Sequence, residues 1–316
     1  MIGRLGCAVA LVLALGIGGC GSAQRSQTTT TTIAQGAGQG PTLHFTGGSV
    51  PGTVYVGGGP DELSLDAYRL SGPLSKAQRI TYSPVGLGIQ GLGANQSEVA
   101  IQRICCGGLM FIEQLNLARH GGLPGTVLGS GGGAGLAPDG QFAHIVPDYP
   151  GCNCDALLLR PSVLGPDRVI YRDPHPGTIL GDAWSVQNRL AAMIATTAKD
   201  GTFRNTEIVL YPGTSRQQTI KPAAMLDVQS GIWWGPRGEL SYEIFGPRVV
   251  IRSAAGQSRS FLLGDSHATC WLHNDTIFTV NELKGTFGSL NPSTGTITTI
   301  GKFPSSQALF VLDCPH

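Results

Sequence analysis

Three sets of residues in this chain of 316 have types that could do chemistry. Gly264-Asp265-Ser266-His267 and Asp313-Cys314-Pro315-His316 supply a hydroxyl, imidazoles and carboxylates, the nucleophile, base and orienting group that acyl transfer needs. His267-x-x-Cys270-x-x-His273 has the types of a metal-ligand set, and Gly86-x-Gly88-x-x-Gly91 has the letters of a dinucleotide-binding turn. Each makes a demand on the element that carries it. A strand sends alternate side chains to opposite faces, so His267 and His273 would point one way and Cys270 the other. A dinucleotide turn must open a helix whose N-terminus meets the pyrophosphate, and Leu92-Gly93-Ala94-Asn95-Gln96-Ser97 opens none. No metal set and no cofactor fingerprint is read. Ser266, Asp313 and His316 read as an inter-strand turn and a chain end, with catalysis kept as the alternative.

The elements that would position these residues are strands. Only 13% of residues are charged, 41% are hydrophobic, and 47 Gly and 20 Pro interrupt the chain too often for long helices. With 21 basic and 20 acidic side chains, the net charge of +1 leaves no field to hold nucleic acid. A four-part unit recurs: an apolar or aromatic lead-in, a turn, and three short strands. The lead-ins and turns are Leu136-Ala-Pro-Asp-Gly140, Ala183-Trp184-Ser-Val-Gln-Asn188, Trp233-Trp234-Gly-Pro-Arg-Gly238 and Cys270-Trp271-Leu-His-Asn-Asp275. Strands after the turns start near Val54, Val99, Phe142, Leu190, Leu240 and Thr276, a spacing of roughly 36 to 50 residues that suits four-stranded propeller blades.

Ala137-Pro138-Asp139-Gly140 and the degenerate Trp184-Ser185 and Trp234-Gly-Pro-Arg-Gly238 resemble the aromatic-Ser-Pro-Asp-Gly signature of TolB-type propellers. The resemblance covers roughly residues 42–316 and implies an all-β, six-bladed β-propeller. The apolar segment Ala308-Leu-Phe-Val-Leu-Asp313 would be the innermost strand of the blade holding Val54, closing the ring. Seven blades would need residues 43–45 to pair as a further strand. The Ser266 and His316 blocks resemble those of GDS-type esterases. In that family, however, the serine block opens an α/β domain and helices flank the strands, so an esterase-like hydrolase or a lyase on the propeller is the alternative function.

Residues 1–19 carry Arg4 and then an apolar run at 8–15, a secretory signal pattern too short to span a bilayer. Ile17-Gly18-Gly19-Cys20 resembles the bacterial lipobox, which implies acylation of Cys20, and residues 20–41, with five threonines at 28–32, read as a flexible tether. The expected protein is a lipid-anchored, extracytoplasmic binding or scaffolding module for an envelope protein or glycan. In an exported propeller the remaining cysteines are disulfide candidates: Cys270 with Cys314 as a latch of the ring, and Cys105 or Cys106 with Cys152 or Cys154 across neighbouring blades. Propellers bind ligands at the mouth of the central channel. His175, Asp182, Asp265 and His267 are the polar residues expected there, just before inner strands or on a proline-stiffened loop.

Overall fold

The turn after each lead-in is the local unit of the fold. In residues 137–141, 185–189, 235–239 and 272–276 the first N–H donates to the fifth carbonyl, at 2.8, 2.9, 2.7 and 2.7 Å. The fourth residue donates back to the first carbonyl, and there the backbone must turn left-handed: Gly140 (φ 86°), Asn188 (56°), Gly238 (84°) and Asp275 (60°). Glycine has no Cβ to clash at that φ, and Asn and Asp tolerate it best among the rest, which is why these types punctuate the sequence.

The computed structural model describes residues 43–59, 66–79, 88–94, 98–105, 109–116, 126–130, 132–147, 149–150, 154–162, 165–172, 177–197, 203–227, 231–304 and 308–314. Their strands form six antiparallel sheets, each a meander of neighbours. In sheet one, Ala308–Asp313 pairs with Ser49–Gly59, followed by Asp66–Pro73 and Gln78–Arg79. Sheet two holds Gly88–Ala94, Glu98–Cys105, Leu109–Asn116 and Thr126–Ser130; sheet three holds Gly132–Leu136, Phe142–Val146, Ala156–Arg160 and Arg168–Arg172. Sheet four is Gly177–Trp184, Leu190–Thr197, Phe203–Leu210 and Gln218–Ile220, and sheet five is Ile232–Trp234, Leu240–Ile244, Arg248–Arg252 and Ser258–Leu262. Sheet six is His267–Trp271, Ile277–Asn281, Thr286–Leu290 and Ile297–Lys302, to whose outer edge Thr46–Gly47 adds a fifth strand. Residues 43–45 therefore build no further sheet; Leu43 and Phe45 are buried instead.

The first strands of the sheets touch in cyclic order. Ala308–Asp313 lies against Gly88–Ala94, then come Gly132–Leu136, Gly177–Trp184, Ile232–Trp234 and His267–Trp271, and the last lies against Ala308–Asp313 again. Tryptophans at the ends of three of these strands tie each sheet to the one before. Trp184 Nε1 donates to the Gly135 carbonyl and Trp234 Nε1 to the Ala183 carbonyl, each at 3.2 Å, while Trp271 Nε1 donates to Ser241 Oγ at 3.0 Å. The seam between sheets six and one is filled by Phe278, Phe287 and Phe303 with Phe45, their ring centroids 4.8 to 5.8 Å apart along the series. Such pairs add about 0.5–1.5 kcal/mol each beyond the area they bury. Both ends of the described chain thus meet at one seam, and there Cys270 and Cys314 form a disulfide with Cα atoms 5.5 Å apart.

Candidate functional site

All five residues of Leu240–Ile244 are buried, because sheets four and six cover both faces of this strand. Leu240, Tyr242 and Ile244 pack with Met193 and Ile208 of sheet four. The alternate positions, Ser241 and Glu243, are polar and reach the inner strand of sheet six: Ser241 Oγ accepts from Trp271, and Glu243 Oε1 accepts the Ala268 N–H. Glu243, 1% exposed, turns its other oxygen to His267, with Oε2 3.2 Å from Nδ1. Asp227 joins them through the backbone. Its N–H donates to the Glu243 carbonyl at 2.9 Å, and the preceding Leu226 bridges Ile244 and donates to the buried Thr206 Oγ1 at 2.7 Å.

The ligating atoms of Asp227, Glu243 and His267 all lie within 4.8 Å of one another. The hydrogen bond to Glu243 raises the His267 pKa above the usual imidazole value, against the opposing effect of burial, and the charges of Glu243, Asp227 and Glu282 push the same way. The carboxylate holds Nδ1 of a side chain that is 42% exposed.

This cluster lies at one end of sheets five and six. Arg248 pairs with both Ile244 and Leu262, so Phe245, in the turn after Ile244, and Leu262 share that end, and the corresponding turn of sheet six after Asn281 carries Leu283. These are the large hydrophobic side chains most open to solvent among the described residues, at 61%, 63% and 79% exposure. Beside His267, an open cavity of about 190 Å³ is lined by the polar Ser266, Thr279, Asn281 and Lys284 and the apolar Phe287 and Ile297. Asn281 Nδ2 donates to Ser266 Oγ there, at 3.4 Å.

Of the residues expected at the channel mouth, His267 belongs to this cluster and Asp265 is exposed in the turn before it. Asp182 lies elsewhere, and not before a strand: it is inside Gly177–Trp184, two residues from its C-terminal end, whereas His267 starts its strand. His175 lies outside the described residues, as do His316, Cys20, Cys106 and Cys152. Cys105 ends a strand of sheet two, and Cys154 is buried and disulfide-bonded. Ser266 lies in the turn before His267–Trp271, and Asp313 ends Ala308–Asp313. The set that does assemble was not visible in sequence, since Glu243 comes from another sheet and Asp227 from the segment ahead of it. Its one local signal is a glutamate between Tyr242 and Ile244 in an apolar run.

Asp182 has its own chemistry. Its Oδ2 is out of reach of solvent with no hydrogen-bond partner, close enough to Gly135 that a Cβ there would stand 2.5 Å away. Burial raises its pKa from 3.8 to about 8. Between those values the folded state keeps a proton that the unfolded state releases, so stability falls as pH rises from about 4 to about 8 and is level beyond. Asp182→Asn is expected to remove a loss on the order of 3 kcal/mol across that window, less than the full linkage value because the surroundings relax and admit water when the carboxyl ionises. Urea midpoints measured at pH 4, 6 and 8 check this; a variant with the slope of the wild type would rule it out.

No family model matches the chain, and no curated protein does. Solved structures do. A chain from a nidogen/laminin complex aligns with a TM-score of 0.60 at 13% identity, over 83% of this chain and all of that one. Streptogramin B lyase aligns at 0.50 and 14% identity, over 86% of this chain and 96% of that one. TolB from Acinetobacter baumannii aligns at 0.46 and 15% identity, over 62% and 48%. At such identities the likeness concerns the fold alone, and that fold is the β-propeller: the chain has an all-β propeller scaffold.

Proposed function

We propose that the chain is a six-bladed β-propeller, anchored through acylated Cys20 on the extracytoplasmic side of a membrane, that binds or scaffolds an envelope protein or glycan. The observation that carries the binding role is the exposure of Phe245, Leu262 and Leu283 at one end of two adjacent sheets. Apolar side chains gathered at a rigid rim, with polar groups between them, are the usual composition of a contact surface. The cyclic contact of six inner strands supports the blade count. The buried Cys270–Cys314 disulfide supports an oxidising compartment.

The test has two arms. Cys20→Ala should release the protein from the membrane fraction; continued sedimentation with membranes would overturn the anchor. A photoreactive residue in place of Leu283 should give a discrete adduct with an envelope protein or glycan that disappears when Phe245 and Leu262 become serine. A blank lane, or an adduct indifferent to both changes, would overturn the binding surface. A hydrolase or lyase on the same scaffold is the second reading, favoured by an imidazole whose Nδ1 is held by a buried carboxylate. Turnover of a p-nitrophenyl ester panel, abolished by Ser266→Ala or His267→Ala, would establish it over the binding role.

A further inference from the structure

Across the described residues, Asp227, Glu243 and His267 are the group of three metal-ligating side chains whose donor atoms converge. Glu243 comes from the fifth sheet, His267 from the start of the sixth, and Asp227 from the segment ahead of the fifth, bridged to it through Leu226. The set is held from behind. Glu243 is buried, and one of its oxygens is fixed by the Ala268 N–H, so the carboxylate presents the other toward His267. The backbone bond from Asp227 to the Glu243 carbonyl and the Leu226 contact with Thr206 fix where the second carboxylate starts. Outer hydrogen bonds of this kind orient ligands at metal centres.

The spacing fits an ion. Bonds of about 2.1 Å to nitrogen and oxygen put tetrahedral donors about 3.4 Å apart, and Nδ1 of His267 is already 3.2 Å from Oε2 of Glu243. The remaining separations, at most 4.8 Å, close with a shift of about an ångström in Asp227 and His267, both only part-buried.

We propose that Asp227, Glu243 and His267 bind one divalent first-row transition-metal ion, of the zinc or manganese type, at the rim between sheets five and six. One imidazole with two carboxylates suits such ions better than soft, thiolate-preferring ones. Three protein ligands leave a position open at the rim for water or a ligand's oxygen. The site stands independently of the binding role proposed above. His267-x-x-Cys270-x-x-His273 contributes only its first member, because Cys270 is tied to Cys314 and His273 sits in the turn past the strand, its N–H on the Pro51 carbonyl.

The test is isothermal titration of the full chain, untagged, stripped with chelator and kept in detergent, with Zn2+ and separately with Mn2+. The expected result is one ion bound per chain, with affinity weakened more than about tenfold in Asp227→Asn and in His267→Ala. A cobalt-substituted sample should show the visible d–d absorption of a bound ion, lost in the same variants. Asp227→Asn removes a part-exposed charge while keeping the residue's shape, so thermal melts without metal should match the wild type and separate lost binding from lost folding. No saturable binding by the wild type, or binding that neither substitution weakens, would overturn the proposal.

Discussion

Replacing Cys270 and Cys314 together by serine is expected to lower the unfolding free energy by about 4 kcal/mol. The estimate comes from the chain entropy that a crosslink across 44 residues removes from the unfolded state. The placement of the bond favours the full effect. Cys270 is on the inner strand of sheet six and Cys314 follows the inner strand of sheet one, so the crosslink spans the seam where the two ends of the domain meet. Both sulfurs are buried among Val54, Leu272, Phe278 and Leu309, and serine hydroxyls there would add a desolvation cost. Denaturant unfolding of the variant, compared with the wild type, decides the matter. Both must be kept oxidised, because reduction would also open the disulfide at Cys154, and a wild type no more stable than the variant would refute the latch.

The next largest effect is expected at Trp271, where alanine should cost about 3–5 kcal/mol. The indole is buried between sheets five and six against Val249, Ile251, Ile277 and Leu290, and it touches the Gly235 turn so closely that a Cβ on Gly235 would stand 2.9 Å from its ring. Its N–H bond to Ser241 joins the contacts of Glu243 with Ala268 and His267 as polar ties from Leu240–Ile244 to the next sheet. Phenylalanine should keep most of the packing and lose about 1 kcal/mol for the missing hydrogen bond. Equilibrium urea unfolding of both variants measures this. If Trp271→Phe lost as much as Trp271→Ala, the hydrogen bond rather than the packing would hold the two sheets together.

What was legible in the sequence was the turn. Pro-Asp-Gly at 138–140 and Pro-Arg-Gly at 236–238 mark places where the backbone goes left-handed, and Asn188 and Asp275 mark the same place with the next most tolerant residues. Turns fixed in that way also fix the strands after them, so Phe142, Leu190 and Leu240 begin strands where the spacing put them. The closing strand was legible too, since Ala308–Asp313 is apolar at every position before its last. Thr46–Gly47 was not, because two residues carry no alternation to read. The cluster at the rim was hidden for another reason. In a strand covered on both sides, burial no longer tracks the apolar pattern, so Glu243 looked like an interruption of a hydrophobic run instead of a buried polar contact to the neighbouring sheet. Asp182 was misplaced because the lead-in before a turn is itself the innermost strand, Gly177–Trp184, longer than its aromatic end suggested.

The pairing of Tyr55 with Asp313 sets an order of events during synthesis. Sheet one lacks its inner strand until Ala308–Asp313 has been made, so Ser49–Gly59 must wait with an unpaired edge while every other sheet has all its strands. Closing contacts between distant parts of a chain is slow, and an open strand edge invites wrong partners in the interval. Ring closure and the Cys270–Cys314 bond both need the last of the described strands, so they are late steps of assembly.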